Sequence, residues 1–124
     1  MEIVAKLYLV DEKGDKFMGL GVLWLLQSIE KEGSLRAAAL EMNLSYSKAF
    51  KMVKKLEEQL NRPVIERRKG GSEKVGSTLN EFGSHFIKLY DKFQTEAKLL
   101  LDAPFEDFMR EFEQLKSKER INEK

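Results

Sequence analysis

The sequence has no cysteine and only one histidine, His85, among its 124 residues. Without cysteine the chain can form neither a disulfide nor a thiolate metal site, and it has no Cys–His catalytic pair. A metal site built from several histidines is excluded as well. We therefore expect no enzymatic activity, no metal and no cofactor, and we interpret His85 as a packed or solvated helix residue.

Long apolar stretches are also missing from this sequence. No run approaches the roughly 18 residues needed to span a membrane. The first residues carry an early acid, Glu2, and no apolar core of a secretory signal. These features predict a cytoplasmic protein without a membrane partner. The length suits one domain with a modest hydrophobic core.

The net charge is only +1, and its distribution is more informative than its size. Residues 45 to 74 contain nine basic and four acidic residues, which gives this segment a charge of +5 and leaves −4 for the rest. A basic middle between mildly acidic flanks is the pattern expected of a nucleic-acid-binding face on a nearly neutral protein.

The segment before this basic region has the pattern of two helices. Apolar residues at helical spacing predict a first helix over residues 21 to 32, with Trp24 widening its apolar side. Gly33 is expected to end that helix, because glycine readily adopts the left-handed conformation of a C-cap. A second helix is predicted from residue 35 to about 42, with Ser34 as its N-cap.

A third helix is predicted over residues 45 to 60. Asn43 tolerates the left-handed conformation of a tight turn, Ser45 can cap the helix, and Phe50 is expected to be at least partly buried. Its inner side is predicted to consist of Ala49, Val53, Leu56 and Leu60. Its outer side carries Lys48, Lys51, Lys54 and Lys55.

A β-hairpin is predicted after the third helix. Pro63 should stop the helix, and residues 64 to 68 alternate like a strand. Residues 69 to 77 are rich in glycine and basic side chains, and we expect a flexible loop there. Leu79 is expected to close the hairpin, which we call the wing (residues 64 to 79).

The two ends of the chain complete the pattern. Residues 2 to 10 alternate like a strand and lead into a turn at residues 11 to 15. Asn80 is a suitable N-cap for a helix of about twenty residues. Pro104 suits the start of a last helix, and the charged tail from residue 116 is expected to fray. The apolar side chains of the long helix are Phe82, Phe86, Leu89, Tyr90, Phe93, Ala97 and Leu100.

The order of elements predicts a mainly α fold with a small β-hairpin. The predicted fold is a winged helix-turn-helix with an N-terminal strand and C-terminal dimerisation helices. Residues 1 to 79 are interpreted as the DNA-binding domain, and residues 80 to 124 as linker and dimerisation helices of the same continuous structural unit. A helix of this kind fits the major groove of DNA, and a basic hairpin reaches the backbone or the adjacent groove.

Four segments, in order and at fitting spacing, resemble one family. Residues 33–39 and 42–49 look like the helix-turn-helix of the ModE-type molybdate-responsive regulators. Residues 63–71 resemble that family's wing, and residues 79–83 resemble the segment that opens its linker helix. The resemblance spans about residues 17 to 95, and the layout is similar, more loosely, to the LysR family.

The resemblance implies a transcriptional regulator that dimerises through the N-terminal strand region and the long helix after the wing. Asn80 stands where the family usually has threonine, and asparagine caps a helix equally well. ModE-type proteins sense molybdate through further C-terminal β-rich domains, which the sequence to Lys124 does not contain. Molybdate sensing is therefore not carried over from the resemblance, and the residues leave open whether any effector, including molybdate or another oxyanion, binds.

We predict that double-stranded DNA is the principal partner and that two elements contact it. The contacts expected around the helix-turn-helix are Ser34, Ser45, Tyr46, Ser47, Lys48, Lys51 and Lys55. The contacts expected from the wing are Arg67, Arg68, Lys69 and Lys74. Four bases within eight residues beside a Gly-Gly pair favour phosphate contact over a merely solubilising hairpin.

We also predict a homodimer, because the helices after the wing present more aromatic surface than a small three-helix unit can cover. The residues assigned to the dimer interface are Phe86, Leu89, Phe93, Ala97 and Leu100. The alternative function is a protein–protein adaptor that keeps the winged-helix fold and has lost DNA binding. The intact basic set on the third helix and wing favours the regulator.

Overall fold

Local caps set the end of the first helix and the starts of the second and third helices. The structure is a computed structural model and describes the backbone of residues 1–70 and 74–122 and the side chains of residues 1–66 and 77–118. Within it, α1 covers Leu20–Glu32, α2 covers Leu35–Glu41 and α3 covers Tyr46–Leu60. All three predicted helices are therefore confirmed to within one or two residues.

The predicted caps and turn are confirmed as well. The Ser34 hydroxyl accepts a hydrogen bond from the Ala37 amide at 3.0 Å, and the Ser45 hydroxyl accepts one from the Lys48 amide at 3.0 Å. Asn43 adopts a left-handed φ of 56° between α2 and α3. Helix α3 ends at Leu60 as predicted, but the residue that terminates it is Asn61, with a left-handed φ of 56°, and not Pro63.

Two short strands precede α1, and here the sequence prediction was partly wrong. The strand expected over residues 2 to 10 is regular only at β1 (Leu9–Val10), which pairs antiparallel with an unpredicted β2 (Lys16–Met18). A strand needs a neighbour for its N–H and C=O groups. Since β2 is only three residues long, it can support no more than a short partner.

The wing forms a longer ladder than the sequence indicated. Strand β3 (Ile65–Gly70) pairs antiparallel with β4 (Lys74–Leu79), from Ile65 opposite Leu79 to Gly70 opposite Lys74. The prediction of a flexible loop over residues 69 to 77 was therefore wrong for most of that segment, because residues 69–70 and 74–77 belong to strands. Residues 71–73 at the predicted tip lie outside the described residues.

The core lies between the three helices, the base of the wing and the following helix. Leu23 is buried on α1, whereas Trp24 is 55% exposed, so the predicted place of Trp24 in the apolar side of α1 was wrong. Trp24 shares the exposed side of α1 with Gln27 and Lys31, at helical spacing. The buried core side chains are Met18, Leu23, Leu25, Leu26, Ile29, Leu35, Ala38, Ala39, Ala49, Val53, Leu56, Val64, Leu79, Ile87 and Tyr90.

Two helices follow the wing: α4 covers Glu81–Leu99 and α5 covers Asp102–Asn122. Both predicted helices are confirmed, but α5 continues through the tail that was expected to fray. An ion pair one turn apart, between Lys116 Nζ and Glu113 Oε1 at 3.5 Å, supports this part of the helix. None of the helices in the described residues is long and apolar enough to cross a membrane.

The buried side of α4 is rotated relative to the predicted apolar stripe. Ile87 and Tyr90 are buried with Gly83 on one side of the helix, whereas Leu89 is 66% exposed. The chain divides into two compact units within this helix. One unit is Lys6–Asp91, and the other combines Met1–Ala5 with the described residues from Lys92 onward.

Candidate nucleic-acid interface

Helix α3 buries one side and presents a basic side to solvent. Ala49, Val53 and Leu56 are buried, and they follow one another at helical spacing. The remaining side carries four lysines whose side chains are all exposed, together with exposed Ser47. These lysines are Lys48, Lys51, Lys54 and Lys55. Four ammonium groups on a helix of 15 residues give this exposed side of α3 a positive charge.

Helix α2 supports α3 through small residues and one unforeseen arginine. Ala38 and Ala39 are buried in the core, so the two helices can approach closely. Arg36 is exposed on α2, and its guanidinium carbon lies 4.7 Å from the centroid of the Tyr46 ring. Sequence reasoning missed Arg36, because only the packing of α2 against α3 brings it to the start of α3.

Two aromatic residues lie one turn apart on α3. The rings of Tyr46 and Phe50 stack with centroids 6.2 Å apart and an interplanar angle of 27°. Phe50 is 37% exposed and Tyr46 39% exposed, so each ring is partly covered and presents an accessible edge to solvent. The partial burial predicted for Phe50 is confirmed. The ammonium of Lys54 lies 5.6 Å from the centroid of Phe50.

The end of α3 is hydrogen-bonded to the base of the wing. One carboxylate oxygen of Glu57, Oε2, accepts the Val64 amide at 2.7 Å and the Ile65 amide at 3.4 Å. Glu57 also lies 3.8 Å from the Lys54 ammonium, and its side chain is only 11% exposed. Sequence reasoning treated this acid as part of the charge pattern, since nothing local distinguishes it from Glu58.

Val64 also holds the start of α4. The Asn80 amide donates to the Val64 carbonyl at 2.9 Å, and the Asn80 side chain donates from Nδ2 to the Pro63 carbonyl at 2.9 Å. Asn80 Oδ1 accepts the Gly83 amide at 2.7 Å, which confirms the predicted N-cap. A Cβ at Gly83 would clash with the Val64 carbonyl, so a glycine is required for this approach. Helix α3, the wing and the start of α4 therefore meet at Val64.

For the DNA contacts predicted on the wing, the structure describes the backbone but not the side chains. Arg67 lies opposite Ser77, Arg68 opposite Gly76, and Lys69 opposite Val75. The side chains of Arg67, Arg68, Lys69 and Lys74 lie outside the described residues. Ser34 and Ser45, the other two predicted contacts, use their hydroxyls as helix caps, and Ser45 is exposed at the start of α3.

The structure separates the residues assigned to the dimer interface. Phe86 packs against the core and stacks on Phe82, with ring centroids 6.5 Å apart. Ala97 is half-buried, whereas Leu89 and Phe93 on α4 and Leu100, which directly follows α4, are exposed. On α5, Phe108 stacks on both Phe105 and Phe112 and remains exposed.

The described acids and His85 form no cluster placed to hold a metal ion. His85 is exposed, and no three histidine, aspartate or glutamate side chains of the described residues are placed to hold a metal ion. A hydrogen bond between the side chains of Glu32 and Glu41 raises the pKa of Glu32 and lowers the pKa of Glu41. The Glu41 carboxylate also accepts a hydrogen bond from the Ser28 hydroxyl at 3.2 Å, which lowers its pKa further. This pair joins α1 to α2 and involves no residue of α3.

Three helices with a basic third helix, followed by a two-stranded hairpin, define a winged helix-turn-helix, a class of DNA-binding fold. Residues 20–84, just over half of the chain, match the family described as bacterial regulatory helix-turn-helix proteins, lysR family. The chain belongs to this family.

Curated relatives agree with the resemblance to ModE-type proteins. The molybdenum transport protein ModE of Azotobacter vinelandii is 31% identical over 78 residues, 63% of this chain and 29% of that protein. The transcriptional regulator ModE of Haemophilus influenzae is 31% identical over 67 residues, 54% of this chain and 26% of that protein. The molybdenum-pterin-binding protein MopB of Rhodobacter capsulatus is 33% identical over 86 residues, 69% of this chain and 32% of that protein. The chain thus spans about a third or less of these relatives.

Proposed function

We propose that this protein binds a preferred sequence of duplex DNA as a homodimer, with α3 in the major groove and the wing on the backbone or in the adjacent groove. The observation that carries the proposal is the continuous exposed basic side of α3, opposite a fully buried side. A groove lined with phosphates attracts such a surface, and base edges are within reach of a helix lying in it.

We assign different tasks to the two elements. Ser47 and Lys48 belong to the first turn of α3, where side chains of a recognition helix reach base edges. Lys51 and Lys55 lie further along the helix and suit either bases or phosphates. Ser34 and Ser45 sit at helix N-termini, where phosphates are favoured. The wing supplies phosphate contacts that fix register and carry no sequence information.

The proposed dimer interface is the exposed side of α4. Leu89 and Leu100 are 66% and 77% exposed, and large apolar side chains so exposed are favourable to bury against a second copy. Two-fold symmetry would place two α3 helices in successive major grooves, about 34 Å apart, and the operator would be an inverted repeat. In this arrangement residues 1 to 79 bind DNA and residues 80 to 124 bring the two copies together.

Selection of binding sites from random duplexes tests the proposal. The purified protein is expected to enrich an inverted repeat. Its affinity for that repeat should fall linearly with salt on a double-logarithmic plot, with a slope of about −0.9 for each phosphate neutralised. Affinity that is equal for all duplexes, or indifferent to salt, would contradict the proposal.

Alanine variants separate the two elements. Replacing Ser47 and Lys48 should relax the sequence preference, because base contacts are lost. Replacing Arg68 and Lys69 should weaken binding about equally on all sequences and flatten the salt slope. Lys118→Ala, which removes an exposed lysine from α5, is the matched control for a lost positive charge. The reverse pattern would mean that the wing, and not α3, reads the bases.

A further inference from the structure

The Tyr46–Phe50 stack places an apolar edge on an otherwise basic surface. Ser47, Phe50, Lys51 and Lys54 follow at spacings of three, one and three residues, which puts them on neighbouring positions of one exposed side of α3. Phe50 therefore shares the surface of the lysines that the proposed function directs toward the groove. If that side faces DNA, the exposed edge of Phe50 faces it too.

The surroundings of the two rings hold Phe50 in place. Tyr46 stacks on it from the preceding turn, and the Arg36 guanidinium covers the Tyr46 ring at 4.7 Å. The Lys54 ammonium lies 5.6 Å from the centroid of Phe50 on the other side. A ring ordered in this way loses little conformational freedom on binding. The flanking cations can pair with phosphates, which the ring itself cannot do.

An apolar side chain in the major groove meets one kind of apolar group on the bases. Adenine, guanine and cytosine present only hydrogen-bonding groups there, whereas thymine presents its C5-methyl group. We infer that Phe50, positioned by Tyr46, contacts the C5-methyl group of a thymine in each operator half-site and so contributes to sequence preference. This inference rests on the proposed placement of α3 in the major groove.

The test changes the DNA by one methyl group. Each thymine of the selected operator is replaced in turn by deoxyuridine, which keeps base pairing and removes only the methyl. At one thymine position in each half-site, the replacement should weaken binding of the wild-type protein by about fourfold. This is the change in affinity that corresponds to the free energy of burying one methyl group. Deoxyuridine in the flanking duplex is the control and should have no effect.

Variants assign the effect to Phe50. Phe50→Ala should bind the thymine and deoxyuridine operators equally, whereas Phe50→Leu should keep part of the difference because it retains an apolar side chain. Tyr46→Phe should also keep it, since the stacked ring remains. Thermal unfolding of each variant verifies that it is folded. The deoxyuridine measurements on the wild-type protein do not depend on the folding of any variant.

The outcomes separate this inference from the proposed function. Sequence-preferring binding in which no thymine position responds to deoxyuridine would overturn the methyl contact and leave the proposed function intact. A deoxyuridine effect that persists in Phe50→Ala would assign the methyl contact to another residue and also overturn the inference. Failure of the wild-type protein to bind any duplex would overturn both.

Discussion

The Glu57 carboxylate, on the recognition helix, accepts a hydrogen bond from the Val64 amide at the first residues of the wing, at 2.7 Å. Val64 is fully buried, and its carbonyl in turn accepts the Asn80 amide that precedes α4. The end of α3, the base of the wing and the start of α4 are thus linked through one backbone unit. This connection sets where the wing begins relative to the helix that we propose to read DNA.

Removing the Glu57 carboxylate should destabilise the protein. Glu57→Ala leaves the amides of Val64 and Ile65 without their acceptor, which is expected to cost about 1–3 kcal/mol in the free energy of unfolding. Glu57→Gln keeps a carbonyl acceptor and should lose less. Urea unfolding measures the change. The exposed neighbour Glu58→Ala is the control and should stay within about 0.5 kcal/mol of wild type. Equal effects at the two positions would contradict the assigned role.

Two glycines in helices should respond to alanine in opposite directions. At Gly83 a Cβ would clash with the Val64 carbonyl, so Gly83→Ala is expected to cost about 1–3 kcal/mol. At Gly21, in α1, a Cβ meets only open space, and Gly21→Ala should stabilise by about 0.5–1 kcal/mol because alanine favours helix. Thermal unfolding of both variants checks this. A stable Gly83→Ala protein would show that α4 does not need the close approach.

The Tyr90 hydroxyl donates to the Leu7 carbonyl at 3.0 Å, and Tyr90→Phe should cost about 0.5–1.5 kcal/mol at neutral pH. Burial, and next the charge of Tyr8, raise the pKa of Tyr90 above its ordinary value of 10.0. The protonated hydroxyl is therefore favoured by folding. Its contribution to stability is complete below pH 10 and is lost as the pH rises through the folded-state pKa.

Urea unfolding at a series of pH values measures this dependence. The difference between wild type and Tyr90→Phe should be constant up to about pH 9 and shrink above pH 10. Tyr46→Phe provides the matched control, because Tyr46 is exposed on α3 and is not among the groups that raise the pKa of Tyr90. A difference that grows with rising pH would mean that the sign of the pKa shift is wrong.

Acidic residues on the exposed side of α4 should break the proposed dimer. Leu89→Glu combined with Leu100→Glu introduces like charges that would face each other across a two-fold axis, and sedimentation at low micromolar concentration should then give a monomer. Leu40→Glu, on α2, is a control that changes an equally exposed leucine. It should remain dimeric. A wild-type protein that is monomeric and still protects a two-fold symmetric site would show that the dimer is not required.

Segment boundaries followed from the sequence wherever a short-range hydrogen bond sets them. Ser34, Ser45 and Asn80 each accept the amide three residues further along the chain, so the residue type and its spacing already reveal the helix start. Asn43 takes the left-handed turn that few other residues tolerate. The basic character of α3 and the wing is likewise a property of composition. Fold class and family were therefore accessible from the residues alone.

Tertiary packing decided which side of each helix is buried and which polar residue joins two elements. The apolar stripe of α4 contains more apolar residues than one buried side can hold, and the approach of Gly83 to Val64 selects the side with Ile87 and Tyr90. Trp24 is exposed for a similar reason, because its neighbour Leu23 on α1 is buried in the core. Glu57 and Arg36 acquired their partners from other elements. Such choices depend on contacts between residues distant in sequence, which local spacing does not encode.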